Sequence, residues 1–421
     1  MNSKERVIAT LNHQQPDKVA VDFGGTGQTG IHVQIVEKLR EYFGLERKAV
    51  KVAEPYQMLG EIEDDLLEIL GGDVIGLNGR FNMFGIEQKD WVETRTPWGQ
   101  IVLMPGLTGE FRNDQGDWII YPLGDTCMRP SGRMPESGYF FDAEDRSKPV
   151  DDATLTVEQN MEEYTGVTDE DLRYWKALVE ENKTRGKALA ANPGGTSLGD
   201  VALVPGVGLK DPKGIRDISE WYRSLLIRPD FIKELFDRIT DLAINNLEKY
   251  FAAIGNDIDL VFLCGTDFGT QNSTFCDADT FRDLWLPYYR KVSDWIHSHT
   301  RWKVFKHSCG AIEPLMESFI DSGIDIINPV QVSAAGMDPE ILKKKYGDRI
   351  VFWGGGVDTQ HTLPFGRPEE VREMVLRHLE IFSPGGGYVF NTVHNTQALT
   401  PIENFLAMLN AVREFNGDGK I

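Results

Sequence analysis

From about residue 187 onward, short apolar runs alternate with longer segments whose apolar positions recur every three or four residues. Residues 188–191, 258–264, 303–307, 324–328, 350–353 and 388–391 form the short runs. They are rich in β-branched and aromatic side chains and too short for helices, so they read as buried strands. Residues 229–251, 277–298, 311–322, 339–346, 368–382 and 401–415 carry the helical period, and four of these segments open on a proline, a residue suited to the first helical turn. Units of strand then helix predict a parallel sheet with crossover helices. Two more strand candidates, near Val19 and Val74, bring the number to eight and predict a (β/α)8 TIM-type barrel rather than an open sheet.

The first half of the chain has a different texture. A helix over residues 3–13 capped by Ser3 leads to a short strand at 19–23, a helix at 32–43 opened by Gly24-Gly25-Thr26-Gly27, a helix at 59–70 and a strand at 73–77. Residues 90–150 alternate apolar and polar positions between Gly, Pro and Asn-Asp breaks, the pattern of antiparallel hairpins. They are expected to form an inserted β lobe, followed by an acidic helical stretch over 156–181. No Gly/Ser-rich linker or internal repeat divides the chain. One domain over residues 1–421 is therefore expected.

Composition narrows the function classes. The 421 residues carry 44 Lys+Arg against 65 Asp+Glu, a formal charge of −21. Such a surface repels phosphate backbones and anionic bilayers, so neither nucleic acid nor membrane is an expected partner. No run of apolar residues is long enough to span a bilayer. The N-terminal segment lacks the apolar core of a signal peptide, and four cysteines are too few for a disulfide scaffold of this size. A cytoplasmic monomer or homodimer is expected.

In a barrel of this type functional side chains gather at the C-terminal strand ends. Those ends are polar and glycine-rich here: Cys264-Gly265-Thr266-Asp267, His307-Ser308-Cys309-Gly310, Asn328-Pro329-Val330-Gln331, Trp353 to Asp358, and Asn391 to Asn395. His307 and Cys309 are two apart, so an extended backbone points both to one face. An imidazole and a thiolate suit Zn²⁺. A third ligand would come from His394, Cys264, Asp267 or Cys276. Neither Gly24-Gly25-Thr26-Gly27 nor Gly206-Val207-Gly208 continues as a phosphate-binding Walker loop, so no nucleotide cofactor is expected. Gly355 and its neighbours are expected to keep the mouth clear for a bulky ligand.

Taken together, Lys306-His307-Ser308-Cys309-Gly310, Asn328-Pro329-Val330-Gln331, Phe352 to Asp358, His394-Asn395-Thr396-Gln397 and Thr400-Pro401-Ile402-Glu403-Asn404 resemble the uroporphyrinogen decarboxylase superfamily. The chain looks most like its cobalamin-dependent methyltransferase branch. The family fold is a (β/α)8 barrel. The arginine-rich N-terminal segment with which the decarboxylases bind carboxylates has no counterpart in Phe23 to Thr29. The branch's third zinc ligand is a cysteine six residues before a Thr-Pro-x-Glu-Asn-like segment, where this chain has His394. The decarboxylases also carry a histidine near that point, which leaves His394 as ligand or substrate contact.

The resemblance implies a zinc-dependent transfer of a methyl group between a corrinoid (methylcobalamin, on a partner corrinoid protein) and a small acceptor or methylated substrate. His307, Cys309 and His394 would hold the Zn²⁺, with Asp267 as a further catalytic group. Gln271, Asn328, Gln331, Gly355, Asp358, Asn395 and Gln397 would line the mouth and dock the cofactor. The competing readings are a metal-free decarboxylase of another carboxylated substrate, and a non-enzymatic corrinoid- or tetrapyrrole-binding protein.

Overall fold

The computed structural model describes residues 1–194 and 196–421. At its centre stand eight parallel strands: β1 (Ala20–Val21), β2 (Val74–Asn78), β3 (Ala188–Asn192), β4 (Leu260–Cys264), β5 (Lys303–His307), β6 (Ile326–Asn328), β7 (Val351–Trp353) and β8 (Tyr388–Phe390). Each pairs with the next from β2 to β8, and β8 pairs with β1. One residue closes the remaining seam. The Asp73 N–H donates to the Val21 carbonyl at 2.8 Å, while its carboxylate accepts the Val21 N–H at 3.0 Å. The second carboxylate oxygen is held by Arg6 at 2.7 Å. The strand–helix rhythm of the sequence thus closes into the expected barrel.

Alternation along each strand divides two apolar layers. Ala20, Val74, Leu260, Phe305, Val351 and Val389 fill the interior, joined from below by Val7 and Leu11 of helix α1 (Ser3–Leu11). Their neighbours Val261, Val304 and Phe352 point outward to the helices. Asn2, rather than Ser3, caps α1, in a reciprocal box with Glu5. The outer ring includes α2 (Val33–Tyr42), α3 (Asp64–Leu70), α4 (Asp169–Asn182), α5 (Pro229–Ile254), α6 (Leu286–His299), α7 (Met316–Asp321), α8 (Pro339–Tyr346), α9 (Pro368–Phe382) and α10 (Ile402–Phe415).

Several expected segments are shorter or broken. The segment 277–298 is two helices, Ala278–Leu284 and α6, parted at Trp285 because Pro287 removes a backbone donor from the ladder. The segment 311–322 starts as a 3-10 turn at Glu313–Leu315 before α7. Residues 156–181 hold a 3-10 turn at Val157–Asn160 and, after a gap, α4. Leu59–Gly60, expected as the start of a helix, is a strand paired with Ile31–His32.

The hairpins expected over 90–150 are present as two sheets. Phe111–Arg112, Trp118–Ile120, Gly132–Met134 and Asp142–Ala143 form a four-stranded antiparallel sheet. The Val92–Arg95/Ile101–Met104 hairpin extends by parallel pairing onto Val50–Glu54, and through it to Leu59–Gly60 and Ile31–His32. An isolated hairpin is marginal in water, and the added strands bury its apolar face. Among the described residues no helix is long and apolar enough to cross a membrane.

Candidate metal centre at the barrel mouth

Interior alternation on β5 places Phe305 and His307 toward the barrel axis. The chain leaves the strand through Ser308 and Cys309, then turns at Gly310, whose φ is +93°. A Cβ at Gly310 would lie 2.7 Å from the Gly269 Cα and closer still to its carbonyl group, so only glycine lets the loops after β4 and β5 meet. The Cys309 Sγ lies 3.3 Å from His307 Nε2. From the loop after β8, the His394 ring meets that of His307 edge to face, centroids 5.4 Å apart. One ligand atom from each of His307, Cys309 and His394 lies within 4.8 Å of the others. Donors bound tetrahedrally at zinc distances sit about 3.3–3.8 Å apart, so small side-chain adjustments let one ion take all three and keep a fourth position open.

Asn328, expected to contact a cofactor, instead positions His307. Its Oδ1 lies 2.6 Å from His307 Nδ1, and its Nδ2 donates to the Trp353 carbonyl at 2.9 Å. The second bond fixes which end of the amide is the acceptor. His307 Nδ1 must then carry the proton, and Nε2 presents a lone pair to the cluster. Burial pushes the His307 pKa down to about 4 against the Asn328 bond, and does the same to His394, aided by His307. Both imidazoles are neutral donors at neutral pH. The Cys309 thiol is pushed above its ordinary range by burial and by nearby Asp267, so a metal must displace its proton to bind.

Asp267 accepts the Cys309 N–H at 2.6 Å, and the same oxygen lies 3.8 Å from His307 Nε2. Burial raises its pKa, partly offset by the Cys309 N–H. Behind Cys309, Gln331 accepts the Gly310 N–H at 2.7 Å and donates to Gln271 at 2.9 Å. Gln271 in turn donates to the Ser333 carbonyl. These two glutamines brace the ligand loop.

The other expected mouth residues serve the loops. Asn395 ties the β8 loop to Gly30, Gly27 and Gln57. Exposed Gln397 donates to the Asn395 carbonyl. Asp358 accepts the backbone N–H groups of Gln360, His361 and Thr362. Gly355 does not clear the mouth: it is buried, and a Cβ there would lie 2.8 Å from Val330 Cβ. Of the alternative third ligands, Cys264 is turned away by a register shift between Phe262 and Cys264 and bonds the Tyr289 hydroxyl in the outer layer. Cys276 keeps its thiol proton, its pKa pushed up to about 11 by burial and by Asp277.

A cavity of about 370 Å³ opens beside the cluster, over the ends of β2, β3 and β4. Its lining approaches the cluster through residues next to it in the chain, not through the three candidate ligands themselves. Gly265 lies two residues before Asp267, and Gly27 and Gln57 bond Asn395, the residue after His394. Two carboxyl groups face it that the sequence reading missed. Glu54 is set by the N–H groups of Tyr56 and Gln57 at 2.7 and 2.8 Å, and burial pushes its pKa up to about 7. Asp200, holding the Ala202 N–H at 3.0 Å, is pushed up to about 6 by burial. The strand-end rule would have reached Asp200, in the loop after β3. Glu54 ends a strand of the lobe sheet, and no local signal marks it.

Fold and site define a (β/α)8-barrel protein with two histidines and one cysteine gathered at the C-terminal ends of its strands, a set that could hold a metal ion. Residues 211–415, a stretch that includes all three candidate ligand residues, match the family model for uroporphyrinogen decarboxylase (URO-D). Uroporphyrinogen decarboxylases of Coxiella burnetii and Psychromonas ingrahamii are each 26% identical to the chain, over 200 and 197 residues. Those matches cover 45% of the chain, and the chain spans about half (49%) of the length of these curated relatives. A solved methyltransferase from Methanosarcina mazei shares the fold, with a TM-score of 0.53, 16% identity and 99% of each chain covered.

Proposed function

We propose that the protein is a zinc-dependent methyltransferase, moving a methyl group between a corrinoid carried by a partner protein and a small acceptor or methylated substrate. The observation that carries this reading is the convergence of His307, Cys309 and His394 at the barrel mouth. Bound there, Zn²⁺ supplies Lewis acidity that makes a thiol, alcohol or amine acceptor nucleophilic near neutral pH. The chain's own residues do the rest. Asn328 keeps His307 in the ligating tautomer, and Gln331 and Gln271 hold the Cys309 loop. Asp267, at the edge of the cluster, takes the acceptor's proton. The acceptor supplies the electron pair of the new bond to carbon, and the pair of the broken carbon–cobalt bond stays with the corrinoid.

Two measurements test this. Protein purified without chelators should contain stoichiometric zinc, lost in His307→Ala and Cys309→Ala. Zinc-loaded protein should then move methyl groups between methylcobalamin and members of a panel of thiols, folates, amines and ethers. Metal-free protein, or a loaded enzyme inert with the whole panel, would overturn the reading.

The named relatives favour a second reading, decarboxylation of a carboxylated substrate with Asp267 as the acid. The cavity argues against a polycarboxylate, because no lysine or arginine is among its described lining residues. Release of CO₂ from one of a panel of small carboxylated substrates by metal-free protein would establish it.

A further inference from the structure

The cavity beside the ligand cluster has a charge pattern of its own. Glu54 and Asp200 face it from opposite parts of the chain, one at the end of a lobe strand and the other in the loop after β3. Neither forms an ion pair among the described residues. Among the described residues, Glu54 is bonded by backbone N–H groups alone, and one Asp200 carboxylate oxygen has no hydrogen-bond donor. The cations in the vicinity are committed elsewhere. Arg80, stacked on Phe81 at 4.5 Å, pairs with Glu87, Glu170 and Asp171. Lys306, whose charge acts on Asp200 more weakly than burial does, has its ammonium held by the carbonyls of Thr266 and His307. Aromatic rings complete the lining, from Tyr56, Phe81 and Phe262.

Carboxylates sunk in a low-dielectric pocket are costly to ionise, and burial holds both toward the neutral acid, offset only in small part at Asp200 by the Lys306 charge. A ligand cation reverses that balance. Rings beside the carboxylates add cation–π attraction, the combination that suits ammonium groups bearing methyls. The volume, about 370 Å³, lies at the small end of ligand pockets, enough for a compact molecule.

We infer that this cavity binds a small cation, an amine or methylated ammonium, with Glu54 and Asp200 as its counter-charges and Tyr56 and Phe262 as its apolar walls. The inference rests on the methyltransferase reading only for what the cation does next. In that reading it presents an N-methyl group, or an amine acceptor, to the ligand cluster next door. Binding itself needs no metal.

The test is calorimetric titration of metal-free protein with three probes of similar shape: tetramethylammonium, tert-butanol and pivalate. Tetramethylammonium should bind, the neutral and anionic probes at least tenfold more weakly. Glu54→Gln and Asp200→Asn should each weaken tetramethylammonium at least tenfold while retaining wild-type zinc content, which shows that the neighbouring site has folded. Equal binding of all three probes, preference for pivalate, no binding of the cation, or unchanged affinity in both variants would overturn the inference. Its failure is separable from that of the proposed function. Cation binding without any methyl transfer would leave this inference standing and remove the reaction. Turnover of neutral methyl ethers by a protein indifferent to tetramethylammonium would do the reverse.

Discussion

Asn328 fixes the tautomer of His307: its amide oxygen takes the Nδ1–H at 2.6 Å while its amide nitrogen is spent on the Trp353 carbonyl. Partners of this kind orient a metal-binding imidazole, and their removal lowers metal affinity by roughly 10–100-fold. Asn328→Ala should therefore weaken zinc by that factor in competition with a chromophoric chelator, with little change in stoichiometry at saturating metal. Unchanged affinity would show that the ring needs no such support.

His394 is the candidate ligand that lies farthest away along the chain. His394→Ala should lower zinc affinity on the order of a hundredfold, since the set falls to two donors. His394→Cys should keep zinc bound, because a thiolate at that position remains a ligand. Should the alanine variant bind zinc like the parent, His394 is a substrate contact only.

His32 links the barrel to the lobe. Its Nε2 donates to the Tyr139 carbonyl at 2.9 Å and its Nδ1 accepts the Gln34 N–H at the start of α2. Burial holds its pKa down to about 4, against the pull of the Tyr139 carbonyl. The folded pKa lies below the unfolded one, so the stabilisation is fully present above about pH 6.5 and is lost as pH falls toward 4, up to about 3 kcal/mol. Denaturant melts of the wild type should show that loss. In His32→Gln, which cannot be protonated, this part of the pH dependence should vanish.

Glu54 works in the opposite sense. Its folded pKa, about 7, is raised by burial, so the favourable contribution is present at low pH and is lost as pH rises through 7. Without ligand, the melting temperature of the wild type should fall relative to that of Glu54→Gln as pH rises from about 5 to 8. A constant gap at all pH values would mean that the carboxyl is ionised throughout.

Gly355 packs rather than gates. Its φ is +76° and a side chain there meets Val330, so Gly355→Ala should cost about 1–3 kcal/mol. Unfolding in urea should move accordingly, while zinc content stays stoichiometric. A variant with full stability but impaired ligand binding would restore the mouth-clearing role.

Much of the frame was legible in the chain because its signals are local. The short apolar runs that mark β4 and β5, and the period near four in α5 and α9, are local signals that need no distant partner. Prolines and short hydrogen-bonding side chains then decided boundaries that periodicity blurred. Pro287 split one expected helix, and Asn2 took the cap assigned to Ser3. Leu59 and Gly60, expected to open the helix that begins only at Asp64, are made a strand by pairing with Ile31 and His32.

The site divides in the same way. His307 and Cys309 could be put together from the sequence alone, since two residues apart on extended backbone share a face. His394 could only be one candidate among several. β5 and β8 are not neighbours in the sheet, and it is closure of the barrel through Asp73 and Val21 that brings their ends around one mouth. The register shift that turns Cys264 outward, the amide that orients His307, and the meeting of Glu54 with Asp200 over one cavity are likewise tertiary. Each depends on which strand lies beside which, and contacts between residues far apart in the chain leave no periodic trace in it.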